Sequence, residues 1–208
     1  MRVGLFTGRP LGWKIAQLAR ETSEVVAAQH IADGWWGTAG TPSSDYVIGS
    51  HPDLIISVLT DHIFGAAELA QATRIVNLHL APLPGYRGCN PFAHAIINNE
   101  ARYGCTLHYV NQAIDTGPII ELREVPLYKS DTGASLHARA EWIAYELFTD
   151  HWDKLRDGVF PVGRPQTGTT RYHRRDSLEK YMTLADWPAE QHERIRRALT
   201  FPPFPMPT

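Results

Sequence analysis

Asn77 and His79 stand two residues apart at the close of the apolar run 74–78, in the tripeptide Asn77-Leu78-His79. Side chains alternate between the two faces of a strand, so this spacing sends a neutral amide and an imidazole to the same side. An amide N–H can steady an oxygen that gains negative charge, and an imidazole can take or give a proton near neutral pH. Farther along, Asp115 opens the turn Asp115-Thr116-Gly117 between the apolar stretches 104–110 and 119–126. A carboxylate so placed can hold a neighbouring imidazole in one tautomer. Each residue also has a plainer reading. A strand-end Asn or His is often a satisfied turn residue, and Asp-x-Gly is ordinary turn chemistry.

The elements that must carry these residues alternate. Residues 2–7 read as a short buried strand, 8–12 as a turn, and 13–21 as an amphipathic helix. A second strand is expected at 25–30, followed by a loop at 33–50 rich in Gly, Ser, Thr and Pro that holds Trp35 and Trp36. The continuous apolar run 53–59 fits a strand buried on both faces, 64–72 a helix, and 74–78 the next strand. Strands and helices alternating at this spacing imply an α/β fold with a parallel sheet, whose ligands bind beyond the carboxyl ends of the strands. After residue 78 come a Pro- and Gly-rich loop to Asn90, a helix at 91–98, the two strands flanking Asp115, and a long helix at 130–155 capped by Asp131 or Thr132. Residues 161–170 read as a linker, 188–199 as a last helix, and 201–208 as a proline-rich tail.

Length and charge narrow the function classes. The chain has 208 residues, 43% of them hydrophobic, enough for one domain with a sizeable core. A formal net charge of -2 supplies no basic field for a nucleic-acid backbone, so a tRNA-sized partner is disfavoured. The two cysteines, Cys89 and Cys105, form no CxxC pair and read as reduced packing residues. Residues 1–6 read as a strand rather than an export signal, no apolar run is long enough to span a membrane, and the expectation is a cytoplasmic protein. No His-Glu-x-x-His pair suggests a metal site, and the glycine fingerprint of an NAD-binding strand-helix turn is missing.

The first strand end carries Arg9 and Lys14, which can meet a diphosphate at a helix start, although Gly8-Arg9-Pro10-Leu11-Gly12 reads equally well as a plain connection. Tyr172, Phe201 and Phe204 can stack on a nucleotide base, or the Phe-Pro tail can clamp a helix or fill a subunit interface.

Taken in order, Asn77-x-His79, Leu83-Pro84-x-x-x-Gly88 and Asp115-x-Gly117-x-Ile119 resemble the folate-dependent formyltransferase family, most strongly over residues 53–127. The loop Leu80-Ala81-Pro82-Leu83-Pro84-Gly85-Tyr86-Arg87-Gly88-Cys89-Asn90, with the endings Tyr172-His173-Arg174-Arg175-Asp176 and 195–205, is similar to sugar N-formyltransferases that act on nucleotide-linked amino-dideoxysugars. The large separate carboxyl-terminal domain expected of an initiator-tRNA formylase is not among these elements.

The resemblance implies a Rossmann-like catalytic domain at 1–157, a mostly parallel sheet with flanking helices, and a small carboxyl-terminal extension at 158–208 for dimerisation and substrate contacts. It implies 10-formyltetrahydrofolate as formyl donor and a homodimer as assembly. Asn77, His79 and Asp115 would be catalytic, with Asn77 on the formyl oxygen. Backbone groups of Leu59, Asp61, His62, Ile63 and Phe64, with Gly117, would hold the folate. Ile63 and Phe64 are read equally as apolar walls of that site or as core. Arg87 and Asn90, in the motif loop, join Arg9, Lys14 and Tyr172 as acceptor-binding candidates, though Arg87 can instead brace its loop. The alternatives are formylation of an amino acid or other small amine, and a silent binding module that kept the fold.

Overall fold

A computed structural model of the chain describes residues 1–31, 51–202 and 205–208. The loop expected at 33–50, with Trp35 and Trp36, lies outside the described residues, as does Phe204.

The first half follows the alternation: β1 (Arg2–Gly8), α1 (Arg9–Thr22), β2 (Glu24–Ile31), β3 (Leu54–Val58), α2 (Ala66–Gln71) and β4 (Arg74–His79). Then come β5 (Arg87–Gly88), α3 (Pro91–Ile97), β6 (Arg102–Tyr109), β7 (Ile119–Pro126), α4 (Gly133–Arg156), β8 (Tyr172–His173) and α5 (Ala189–Leu199), with 3-10 turns at Arg175–Tyr181 and Leu184–Asp186. The six long strands form one mostly parallel sheet in the order β2-β1-β3-β4-β6-β7, and β1 pairs parallel with both β2 and β3. This is the α/β architecture that the alternating elements require.

The expected turn at 8–12 is corrected. β1 ends at Gly8 and α1 starts at Arg9 without a loop, with Arg9 at φ 60° and Pro10 in the first turn, where a missing N–H costs nothing. Gly12 belongs to the helix, and a Cβ there would lie 2.8 Å from the Cβ of Thr7, so glycine lets α1 pack closely on β1.

The chain forms two compact units, each built from three separate segments. The first comprises Met1–His79, Leu107–Glu121 and Tyr145–Gln166, and the second Leu80–Thr106, Leu122–Ala144 and Thr167–Thr208. In the first unit every residue of β3 is buried, as its unbroken apolar run demands. Phe6, Ile55, Phe64 and Ile75 form a core cluster there, packed against Leu69, Ala72 and Val110.

In the second unit Tyr103, Leu136, Phe92 and Leu83 are buried, and the thiol of Cys105 donates to the carbonyl of Ala140 at 3.1 Å while burial pushes its pKa upward. Thr132 caps α4 reciprocally: its Oγ1 accepts from the N–H of Ser135 at 3.1 Å, and Ser135 Oγ accepts from the N–H of Thr132 at 3.0 Å. A two-residue parallel pairing joins β5, inside the expected loop, to β8, just past the expected linker, with Arg87 against Tyr172 and Gly88 against His173. Gly88 has φ 87°, and a Cβ there would lie 2.2 Å from the carbonyl oxygen of His173, so only glycine fits.

Phe201 takes the clamp reading. It is 7% exposed and its ring lies 5.2 Å from that of Phe92 and 5.4 Å from that of His137. Removing this ring should cost about 3 kcal/mol of stability, read as a lower urea midpoint for Phe201→Ala. An unchanged midpoint would show that the tail does not fasten the second unit.

Candidate active site

The parallel register of β3 with β4 sets Ser57 directly beside Asn77. Ser57 donates its hydroxyl to Asn77 Oδ1 at 2.9 Å, which turns the amide nitrogen the other way, to His108 Nε2 at 3.0 Å. His108 ends the buried part of β6 and is 2% exposed. Its Nδ1 lies 2.8 Å from the carbonyl oxygen of Tyr109, so Nδ1 carries the proton and Nε2 accepts from Asn77. Burial outweighs the pull of Asp115 and, with His79, lowers the His108 pKa to about 4, so the ring is neutral at neutral pH.

His79, the last residue of β4, and Asp115 complete the arrangement. Asp115 Oδ2 lies 3.7 Å from His79 Nδ1 and Oδ1 lies 3.7 Å from His108 Nε2. The two rings are nearly perpendicular, with centroids 6.4 Å apart. At 3.7 Å neither contact is a formed hydrogen bond; only the His79 contact can become one, because His108 Nε2 carries no proton to give. Asp115 sits at φ 53°, left-handed backbone that is uncommon outside glycine and that Asp adopts more readily than most residues. The same turn is tied by Thr116, whose hydroxyl lies 2.6 Å from Asn111 Oδ1, and by Gly117, where a Cβ would collide with the carbonyl oxygen of Tyr109.

Residues 59–65 leave the carboxyl end of β3, the strand beside the one that bears Asn77. Leu59 has φ 49°, and His62 closes the loop by bonding Glu68 Oε1 at 2.7 Å and stacking on Phe6 with ring centroids 4.8 Å apart. Glu68 Oε2 also accepts the N–H of Gly65 at 2.8 Å, at the start of α2. Of the two readings given to the loop's apolar side chains, Phe64 takes the core position, 6% exposed, while Ile63 is 66% exposed. Asp61 is exposed, and Gly117 is buried beneath Tyr109.

The acceptor candidates divide between the units. Arg9 and Lys14 stand in the first turns of α1, Lys14 exposed. In the second unit the β5–β8 pairing sets Arg87 beside Tyr172, which is 49% exposed, and Asn90 Nδ2 donates to the carbonyl of Arg175 at 3.3 Å. Tyr172 helps line a cavity of about 600 Å³ with His94, Arg171, His173, Arg174 and Lys180. His94 and His173 stack there at 3.8 Å, and His94 Nε2 lies 2.8 Å from the Ser177 hydroxyl. Burial first, then the positive neighbours His173 and Lys180, drive the His94 pKa down to about 3.

Sequence reasoning brings Asn77, His79 and Asp115 together and misses Ser57 and His108. A polar signal exists for both, since each interrupts an apolar strand, but their pairing with Asn77 follows from strand order.

The amide, the two imidazoles and the carboxylate thus gather at the carboxyl ends of β4 and β6 and in the turn after β6 of an α/β sheet. Residues 43–151 match the family described as formyl transferase, and the chain belongs to that family. It is 32% identical over 158 residues to a methionyl-tRNA formyltransferase of Stenotrophomonas maltophilia, a match covering 74% of this chain. The chain spans 50% of that relative's length. Among solved structures it is similar to a sugar N-formyltransferase from Shewanella, with TM-score 0.81 and 22% identity over 98% of this chain and 90% of that one. It is also similar to the formyltransferase PseJ from Anoxybacillus kamchatkensis, with TM-score 0.71 and 25% identity over 95% of this chain and 100% of that one. That structure is a complex with UDP-4,6-dideoxy-4-formamido-L-AltNAc and tetrahydrofolate.

The buried neutral imidazoles set an acid limit. The unfolded chain protonates these histidines near pH 6.5, the folded chain only near 4 for His108 and near 3 for His94. Between those values the unfolded state binds more protons, so their contribution to stability is lost as pH falls below about 6.5. The melting temperature should drop between about pH 7 and pH 5, and drop less in His94→Gln. An equal drop in both proteins would remove His94 from this account.

Proposed function

We propose that the protein transfers a formyl group from 10-formyltetrahydrofolate to the amine of a nucleotide-linked amino-dideoxysugar. The observation that carries this reading is the amide of Asn77, held by Ser57 and neutral His108 beside the His79–Asp115 pair, in a member of the formyl transferase family. The loop at 59–65, at the adjoining strand end, offers backbone groups and the exposed Ile63 side chain to a flat pterin edge, with Leu59, Asp61 and His62 in the same stretch; Gly117, in the Asp115 turn, is the remaining folate candidate. When bound there, the donor supplies an electrophilic formyl carbon.

The protein's own groups then have defined tasks. As the amine adds to that carbon, the formyl oxygen gains negative charge, which the second Asn77 N–H meets with little reorganisation because Ser57 and His108 have already set the amide's direction. The attacking nitrogen gains positive charge and must lose a proton. His79 and Asp115 act on it as one coupled unit, the carboxylate holding the imidazole that receives it; the same imidazole can return that proton to the donor nitrogen as its bond to the formyl carbon breaks and tetrahydrofolate leaves. His108 stays neutral and leaves Asp115 as the charged partner of His79.

The sugar acceptor is supported by the motif loop 80–90 and by the cavity beside Tyr172, where Tyr172 and Tyr181 can meet a base and Arg171, Arg174 and Lys180 its phosphates, with the acidic Glu100 and Asp176 also in the lining. Arg87 pairs with Tyr172, Asn90 bonds Arg175, and Arg9 and Lys14 stand in the first turns of α1. The solved complex with a UDP-linked formamido sugar supports the same class. A second reading, an amino acid amine as acceptor, is favoured by the methionyl-tRNA formyltransferase relatives.

The protein should gain a mass-detectable formylated product with 10-formyltetrahydrofolate and at least one nucleotide-linked aminosugar. Modification of an amino acid but no aminosugar would overturn the acceptor, and no transfer to any amine would overturn the reaction. Asn77→Ala should lower kcat roughly 100- to 1000-fold.

A further inference from the structure

We infer that Gln166, in the stretch that reads in sequence as a linker, is a positioning residue that holds the Asp115 turn in its working shape. The inference rests on the reaction proposed above. Its side-chain Nε2 donates to the carbonyl of Asp115 at 2.9 Å and to the carbonyl of Gly117 at 2.8 Å. One NH2 group therefore spans both sides of Thr116 and fixes the separation of the two carbonyls. Both partners are acceptors, so an amide fits and a carboxylate does not.

The turn needs such a brace. Asp115 holds a left-handed φ of 53° without being glycine, and its Oδ2 must stay within reach of His79 Nδ1, 3.7 Å away, while the carboxylate fits beside His108. Gln166 is itself delivered by a docked segment. Arg164 and Ile119 exchange both backbone hydrogen bonds at 2.8 Å, and the Tyr109 hydroxyl donates to the carbonyl of Pro161 at 2.6 Å. A Cβ at Gly163 would lie 2.7 Å from Pro118, so the segment lies tightly on the strand that follows the turn. Gln166 touches Asp115 through backbone only, and its effect on the reaction is exerted through the carboxylate's position.

The substitutions Gln166→Ala and Gln166→Glu separate this role from general stability. In Gln166→Ala, kcat should fall about 10- to 100-fold with both KM values within about twofold, since a small misplacement of a catalytic group costs rate rather than binding. In Gln166→Glu, a carboxylate would face two carbonyl oxygens. Its loss of kcat should be deepest near pH 8 and partly recover near pH 6, as protonation restores one donor, while Gln166→Ala shows no such recovery. Nitrogen NMR of His79 and His108 should also shift in Gln166→Ala, whether or not an acceptor has been found. Wild-type kcat in Gln166→Ala, or unshifted imidazole resonances, would overturn the inference and leave the proposed reaction standing. Identical pH profiles for the two variants, with kcat and KM falling together, would overturn it in favour of a purely structural role. An inactive wild type with shifted resonances would overturn the reaction and leave the positioning intact.

Discussion

His108 gives its Nδ1–H to the carbonyl of Tyr109 and keeps Nε2 as an acceptor for the amide of Asn77. The rest of the site depends on that tautomer. With the ring neutral, Asn77 must present nitrogen to it and Ser57 must donate to the remaining amide oxygen. A protonated His108 would have no acceptor to offer, and the amide would lose its reason to face one way. Burial enforces the neutral state at a cost in acid stability.

Strand order explains why these groups meet. β3, β4 and β6 are neighbours in the sheet, so Ser57, Asn77 and His108 arise from strands adjacent in space and far apart in the chain. Parallel strands bring their carboxyl ends to one edge, and the loops that leave those ends carry the remaining groups. Leu59 and Asp115 both lie at positive φ in such loops. Strain at these points is held by the regular sheet behind them.

Much of this was legible in sequence for a specific reason. The period of two in Asn77-Leu78-His79 and the unbroken apolar run before it define a strand end and one face without knowledge of any partner. Asp115 is visible because a turn between two apolar strands has its own chemistry. Ser57 and His108 were hidden because their roles are pairings between strands, and each looks from its own segment like an isolated polar residue in a core run. The start of α1 at Arg9 is masked in sequence because Pro and Gly within five residues mark turns more often than a helix laid closely on a strand. The β5–β8 pairing and the docking of Gln166 left no period to detect: a two-residue strand and a single side chain show neither alternation nor amphipathicity.

Nitrogen NMR of the imidazoles between about pH 7 and pH 5 tests the central claim most directly. The account requires His108 to show a protonated Nδ1 and an unprotonated Nε2 throughout that range, consistent with a pKa of about 4. An Nε2-protonated ring, or one that titrates near 6.5, would contradict the arrangement of Asn77 on which the site is built.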